Sequence, residues 1–219
     1  MSRTLGAMTS SRSTTTRTGV PTRPGSQDHP GPQDRSDLQD HPDRQGRLDH
    51  LVHEIRAIVH RGLPPDRTAG LVGDRLAPHL GAADLLTDRQ CEGDADRYRQ
   101  HVLHAEEDGG FSIVSLVWLP GQRTSIHDHV SWCVTGVHQG REHERRYELI
   151  PGDPVGRLVP TRDVVNEQGQ VCGFAPPGDI HRVWNGGTGK AISLHVYGAD
   201  ITRLGTSIRR VYRAPEGEV

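Results

Sequence analysis

His127 and His129 stand one residue apart in the stretch TSIHDHVSWCVTG. On a β-strand, residues i and i+2 point to the same face, so both imidazoles can aim into a barrel while Asp128 points out. Two neutral imidazoles so placed are the beginning of a divalent metal site. The pair alone is a weak signal in a chain with 14 histidines. Four residues further on, Cys133 stands where a carboxylate would be expected to complete such a site. A second polar row lies downstream in AISLHVYG, where Ser193, His195 and Tyr197 occupy positions i, i+2 and i+4 and so share one strand face. Three polar side chains on one face of an apolar strand are costly unless they hydrogen-bond to one another or to a ligand. The alternative is an exposed edge strand with these residues outward and Leu194 and Val196 buried.

The surrounding spacing adds weight to the pair. Gly121, five residues, His127, one, His129, three, Cys133, six and Gly140 are followed by Pro176, one, Gly178, two, His181, three and Asn185. This resembles the two signature motifs of the cupin superfamily, with only the glutamate position changed, to Cys133. The resemblance implies a metal held by His127, His129 and His181. Three neutral imidazoles leave a divalent ion its full charge and leave coordination positions open, which suits a substrate that brings the negative charge itself. A thiolate is such a substrate, and a soft ligand that Fe(II) accepts.

SIHDH, the cysteine at the glutamate position, HRVWN from His181 to Asn185, and AISLHVYG together resemble the cysteine dioxygenase family of thiol dioxygenases. The resemblance runs from Tyr98 to Tyr197. It implies one Fe(II) per chain on the three histidines, and a small thiol converted to its sulfinate with both oxygen atoms taken from O2. It further implies a relay of Ser193, His195 and Tyr197, and in some members a thioether between the residues matching Cys133 and Tyr197. L-cysteine is the substrate expected first. Cysteine-specific members are expected to place an arginine two residues after a tyrosine to hold the substrate carboxylate. Here Tyr98 is followed by Arg99 and Gln100, so Gln100 takes the arginine's place. That feature is similar to relatives acting on 3-mercaptopropionate, which use a later arginine, for which Arg209 or Arg210 in SIRRVYR is available. Those relatives carry glycine at the position of Cys133, and a slip of one residue would make Arg99 the clamp. A cupin using another metal for isomerisation or hydrolysis, and a non-catalytic cupin that binds a small ligand, remain as alternatives.

The elements that must position these residues can be read from periodicity. In RLDHLVHEIRAIVHRG, Leu48, Leu51, Val52, Ile55, Ile58 and Val59 recur at helical spacing, and Gly62, Pro64 and Pro65 end the run. Further helical pieces are expected at AGLVGDRLAPHLG and DADRYRQHVLHAEE. FSIVSLVWL, stopped by Pro120 and Gly121, reads as a buried strand. Further strands are expected at about 124–129, 132–138, 143–149, 171–175, 180–184 and 191–197. The expected fold is mainly β, a cupin double-stranded β-helix or jelly-roll barrel preceded by a few α-helices. The divisions expected are a disordered low-complexity tail over 1–45, with QDHP repeated at 27–30 and 39–42, then a domain over 46–219. Within that domain helices are expected over about 46–107 and the barrel over about 108–213. Met8 is an alternative start.

Composition narrows the partners. The 219 residues carry a formal net charge of −2, which gives no electrostatic reason to expect nucleic acid or an anionic membrane. Apolar residues make up 32% and aromatics 4%, too lean for every residue to belong to a core. Without a secretory signal the three cysteines read as reduced thiols and the location as cytoplasmic. Cys91 and Cys172 read as structural, Trp132 and Trp184 as core residues flanking the ligand segments, and His101, His104, His138 and His143 as surface residues.

Overall fold

A computed structural model describes residues 42–152 and 156–215. The expected disorder over 1–45, the QDHP repeats up to residue 41 and the alternative start at Met8 fall, up to that residue, outside the described residues. Helix α1, Pro42–Val59, begins inside the stretch expected to be unstructured, and α2, Pro65–Leu76, follows. Then come β1 (Arg99–Ala105), β2 (Ser112–Trp118), β3 (Ile126–His129), β4 (Cys133–Gln139) and β5 (Arg141–Ile150). They are followed by β6 (Arg157–Glu167), β7 (Val171–Phe174), β8 (His181–Trp184), β9 (Ala191–Tyr197), a short helix α3 (Ile201–Leu204) and β10 (Ile208–Tyr212). Two five-stranded antiparallel sheets result, ordered β1-β2-β9-β4-β7 and β10-β3-β8-β5-β6. This is the mainly β barrel, with helices on its N-terminal side, expected of a cupin.

Strand β9 organises the molecule. It lies between β2 and β4, with all seven residues buried. Leu194 and Val196 turn outward and join Ile113, Val117 and Val134 in a core closed by Leu51, Ile55, Val72 and Leu76 of the two helices. Ser193, His195 and Tyr197 take the other face, toward the barrel interior. The exposed-edge alternative is thereby excluded: the central position buries both faces. Helix α2 comes close because β4 carries Gly136, where a Cβ would meet Leu76 and Leu80 side-chain carbons at 2.9 Å.

Sequence and structure part at β1. Tyr98, Val102 and Ala105 follow helical spacing, yet the segment is a strand paired along β2, and Gln100 to Leu103 are buried on both of its faces. Sheet pairing outweighs a weak local preference. β6 and β10 are also absent from the expected strands; both are edge strands of their sheet, rich in exposed charged residues and without an alternating apolar pattern. His101 and His138 are buried, not on the surface: His101 bonds the Glu92 carbonyl at 2.9 Å and His138 Nδ1 accepts from the Gly81 amide at 3.2 Å.

Candidate metal centre

All four residues of β3 are buried, and its pairing with β8 sets His127 directly opposite His181. The three imidazoles of His127, His129 and His181 converge so that one nitrogen from each lies within 4.8 Å of the others. Each Nδ1 is already bonded. His127 Nδ1 lies 2.9 Å from the Ser125 carbonyl, His129 Nδ1 3.1 Å from Asp179, and His181 Nδ1 2.9 Å from Glu144. With the protons on Nδ1, the lone pairs are on Nε2, the tautomer a metal requires. His181 Nε2 is buried with no hydrogen-bond partner, so the residues fit a bound cation.

Electrostatics favour the same state. Burial, then the neighbouring histidines, holds His127 well below the ordinary imidazole value. Burial also takes His129 down to about 4, against the pull of Asp179. For Glu144 burial opposes ionisation, but the His181 ring and the Arg146 guanidinium outweigh it and hold the carboxyl at about 2. Neutral His129 thus leans on the ionised Asp179, and Glu144 meets His181 Nδ1 in the same way, contacts that raise ring basicity toward a metal. Sequence reasoning missed Asp179 and Glu144. Asp179, two residues before His181, carried a faint signal; Glu144 lies in REHERR, which reads as a solvent strand but turns Glu142, Glu144 and Arg146 inward.

On β9, Ser193 Oγ lies 3.0 Å from His195 Nε2, and Tyr197 OH 3.1 Å from His195 Nδ1. Trp118 Nε1 donates to Ser193 Oγ at 3.0 Å. An indole only donates, so Ser193 Oγ accepts at this contact and keeps its own proton to give to His195. With Ser193 donating to Nε2, Nδ1 carries the proton and donates to the Tyr197 oxygen. The phenol proton is left to point elsewhere, and Tyr197 lines the same narrow cavity as the three histidines. Glu142 Oε2, buried, lies 3.8 Å from His195 Nε2. Cys133 is fully buried opposite Tyr197 in the ladder, and burial first of all pushes its thiol well above the ordinary value.

The substrate-clamp residues separate. Gln100 lines the cavity, its Nε2 buried without a hydrogen-bond partner. Arg99, of opposite parity on β1, turns away and reaches Glu92 at 3.6 Å. Arg209 and Arg210 both bind Asp128 Oδ2, at 2.6 and 2.8 Å, on the far side of β3 from the ligands. A bulge in β10 between Ile208 and Arg210 brings the two successive side chains to one carboxylate. None of these three guanidinium groups lines the cavity.

The sequence profile described as "Cysteine dioxygenase type I" matches residues 89–204. The chain belongs to the cysteine dioxygenase type I family. Cysteine dioxygenase type 1 of Danio rerio is 30% identical over 106 residues, 48% of this chain and 52% of that protein. The chain thus spans about half the length of that curated relative. Among solved structures, a Cupin 2 conserved barrel domain protein from Salinispora arenicola is similar at 19% identity and a TM-score of 0.38, over 51% of this chain and 84% of that one. A conserved protein with a double-stranded β-helix domain from Klebsiella pneumoniae is similar at 17% identity and a TM-score of 0.37, over 57% and 94%. The region matched to the cysteine dioxygenase family contains every residue of the three-histidine group and of the Ser193-His195-Tyr197 row. Among the described residues no helix is long and apolar enough to cross a membrane.

Proposed function

We propose that the chain is an iron-dependent thiol dioxygenase that converts a small thiol, L-cysteine first, to its sulfinate, both atoms of O2 entering the product. The observation that carries this reading is one cavity lined by His127, His129 and His181, with their Nδ1 atoms all engaged, and by the Tyr197 end of a directed hydrogen-bond row. His127, His129 and His181 hold the Fe(II), which when bound supplies the redox centre and Lewis acid at which thiol and O2 are brought together.

The protein's own groups do the rest. The cavity is narrow and walled by Trp118, Val183 and Tyr197 beside the histidines, which limits the entry of bulk water. Tyr197, its oxygen held by His195 Nδ1, keeps its phenol proton for a hydrogen bond to negative charge in the cavity, with Ser207 also within its reach. Gln100 Nε2 donates to the substrate carboxylate. An amide at Gln100, in the arginine's place, supports a second reading, 3-mercaptopropionate as substrate, through its likeness to the relatives that act on that thiol. Three free cysteines fit a reducing, cytoplasmic setting.

Oxygen consumption by the iron-loaded protein tests this directly, with L-cysteine, 3-mercaptopropionate, cysteamine and mercaptosuccinate offered in turn and the product weighed by mass spectrometry. Equimolar uptake of O2 and thiol with a sulfinate product supports the class, and the preferred thiol decides between the two readings. No uptake with any thiol by protein that holds its iron favours the non-catalytic binding cupin.

A further inference from the structure

Among the described residues no guanidinium or ammonium group lines the metal cavity. A thiol that carries a carboxylate must therefore be held, at the end away from sulfur, by neutral donors. Gln100 of β1 is one, its buried Nε2 without a hydrogen-bond partner among the described residues. Two hydroxyls join it from the connection between α3 and β10, where Thr206 and Ser207 enter the cavity wall ahead of Ile208. They lie beyond residue 204, where the match to the cysteine dioxygenase type I family ends. α3 stops at Gly205, whose φ of 80° is the left-handed turn that a glycine adopts without strain.

The connection is anchored on both faces of β3. The Ser207 carbonyl accepts from the Val130 amide at 3.0 Å, one residue past His129, and Ile208 stands opposite His129 in the ladder. On the outer face Arg209, Arg210 and Tyr212 all donate to Asp128 Oδ2, at 2.6, 2.8 and 2.8 Å. Asp128 is wholly buried between His127 and His129, so the strand that carries two of the histidines also fixes where Ser207 stands. The two hydroxyls differ. Thr206 Oγ1 is engaged by the Ile208 amide, which donates to it at 3.1 Å. Ser207 reaches instead toward Tyr197: burial, first of all, and then Cys133 push that phenol well above its ordinary value, and the Ser207 hydroxyl works the other way. The Ser207 and Tyr197 hydroxyls thus converge in the narrow cavity that Gln100 lines.

We propose that Ser207 is a specificity-determining residue, a hydroxyl donor that holds the substrate carboxylate together with the Gln100 amide. Hydrogen bonds to a charged acceptor are the stronger kind, so one hydroxyl so placed separates thiols that carry a carboxylate from those that do not. Ser207 takes this role only if the cavity is the thiol site proposed above, but the role does not require that the thiol be oxidised.

The test is thiol binding, followed by anaerobic calorimetry on the full-length protein loaded with zinc, a divalent ion that imidazoles accept and that has no redox chemistry. 3-Mercaptopropionate is the probe, and ethanethiol, the same thiol end without the carboxylate, is the control. Ser207→Ala is expected to weaken 3-mercaptopropionate binding about tenfold and to leave ethanethiol binding unchanged. Ser207→Thr, which keeps a hydroxyl, should restore most of the loss. Ser207→Asp sets a like charge against the carboxylate and should abolish 3-mercaptopropionate binding while ethanethiol still binds, which shows that the fold and the metal site survive. Equal weakening of both thiols in Ser207→Ala, weakening of neither, or no binding of 3-mercaptopropionate by the unaltered protein would each overturn the proposal. The expected pattern in a protein that consumes no oxygen would sink the dioxygenase reading and leave the role of Ser207 standing.

Discussion

Cys133 on β4 and Tyr197 on β9 stand directly opposite each other in the antiparallel ladder, both fully enclosed. Directly opposed residues bring their Cβ atoms to about 4.5–5.5 Å, close enough for a sulfur to meet an aromatic ring. A thioether between them, formed with loss of the thiol hydrogen and a ring hydrogen to an oxidant such as O2, is expected in iron-loaded, aerobically turned-over protein. Intact mass should fall by a pair of hydrogens, with a joined peptide pair after digestion. Two unmodified peptides would sink the idea.

Trp118→Phe removes the donor that orients Ser193 while keeping an aromatic ring in the cavity wall. Turnover should fall about tenfold, the scale of one orienting hydrogen bond, with iron content unchanged. Equal turnover in the variant would show that the row needs no such anchor.

Glu144→Gln replaces the ionised partner of His181 by a neutral one. Metal affinity should drop about 10–100-fold in a chelator competition, whereas His181→Ala should fail to retain the metal at all. Full metal occupancy in His181→Ala would count against the ligand set.

Gln100→Ala leaves the cavity without its amide donor. The KM for a carboxylate-bearing thiol should rise about tenfold with kcat little changed, and cysteamine, which has no carboxylate, should be indifferent. The comparison between the two thiols is the decisive measurement.

Asp200 caps α3 by accepting from the Thr202 amide at 2.8 Å, and burial notwithstanding, these bonds hold its carboxyl below the ordinary value of 3.8. Asp200→Ala should cost about 1 kcal/mol in a denaturant titration at neutral pH. Because the folded carboxyl is the stronger acid, its contribution is complete above the ordinary value and disappears as pH falls through the lower, folded one. Wild type and variant should therefore converge in stability only in that acid range.

How much of this was legible beforehand depends on what each residue answers to. His127, His129 and His181 could be found because motif spacing survives in one dimension, and the relay because strand parity is local. The arginine clamp could not be judged, since the direction of Arg209 depends on a bulge in β10 and that of Arg99 on the parity of a strand that reads as helix. Trp118, Asp179 and Glu144 answer only to partners that folding brings from 37 to 75 residues away. The inward turn of Glu142, Glu144 and Arg146 ran against every hydropathy rule. A barrel whose interior is a polar site inverts the usual meaning of alternation.

β9 has another side. Because its residues alternate between the relay and the helix-facing core, sliding it by one position would put Leu194 and Val196 where the phenol and imidazole stand and bury the polar row among the helices. No partly aligned version of the strand keeps either half. The ordering of the hydroxyl–imidazole–phenol row is thus inherited from ordinary apolar packing on the reverse of the same strand. A cavity-forming change such as Leu194→Ala, well removed from any reacting atom, puts that order at risk.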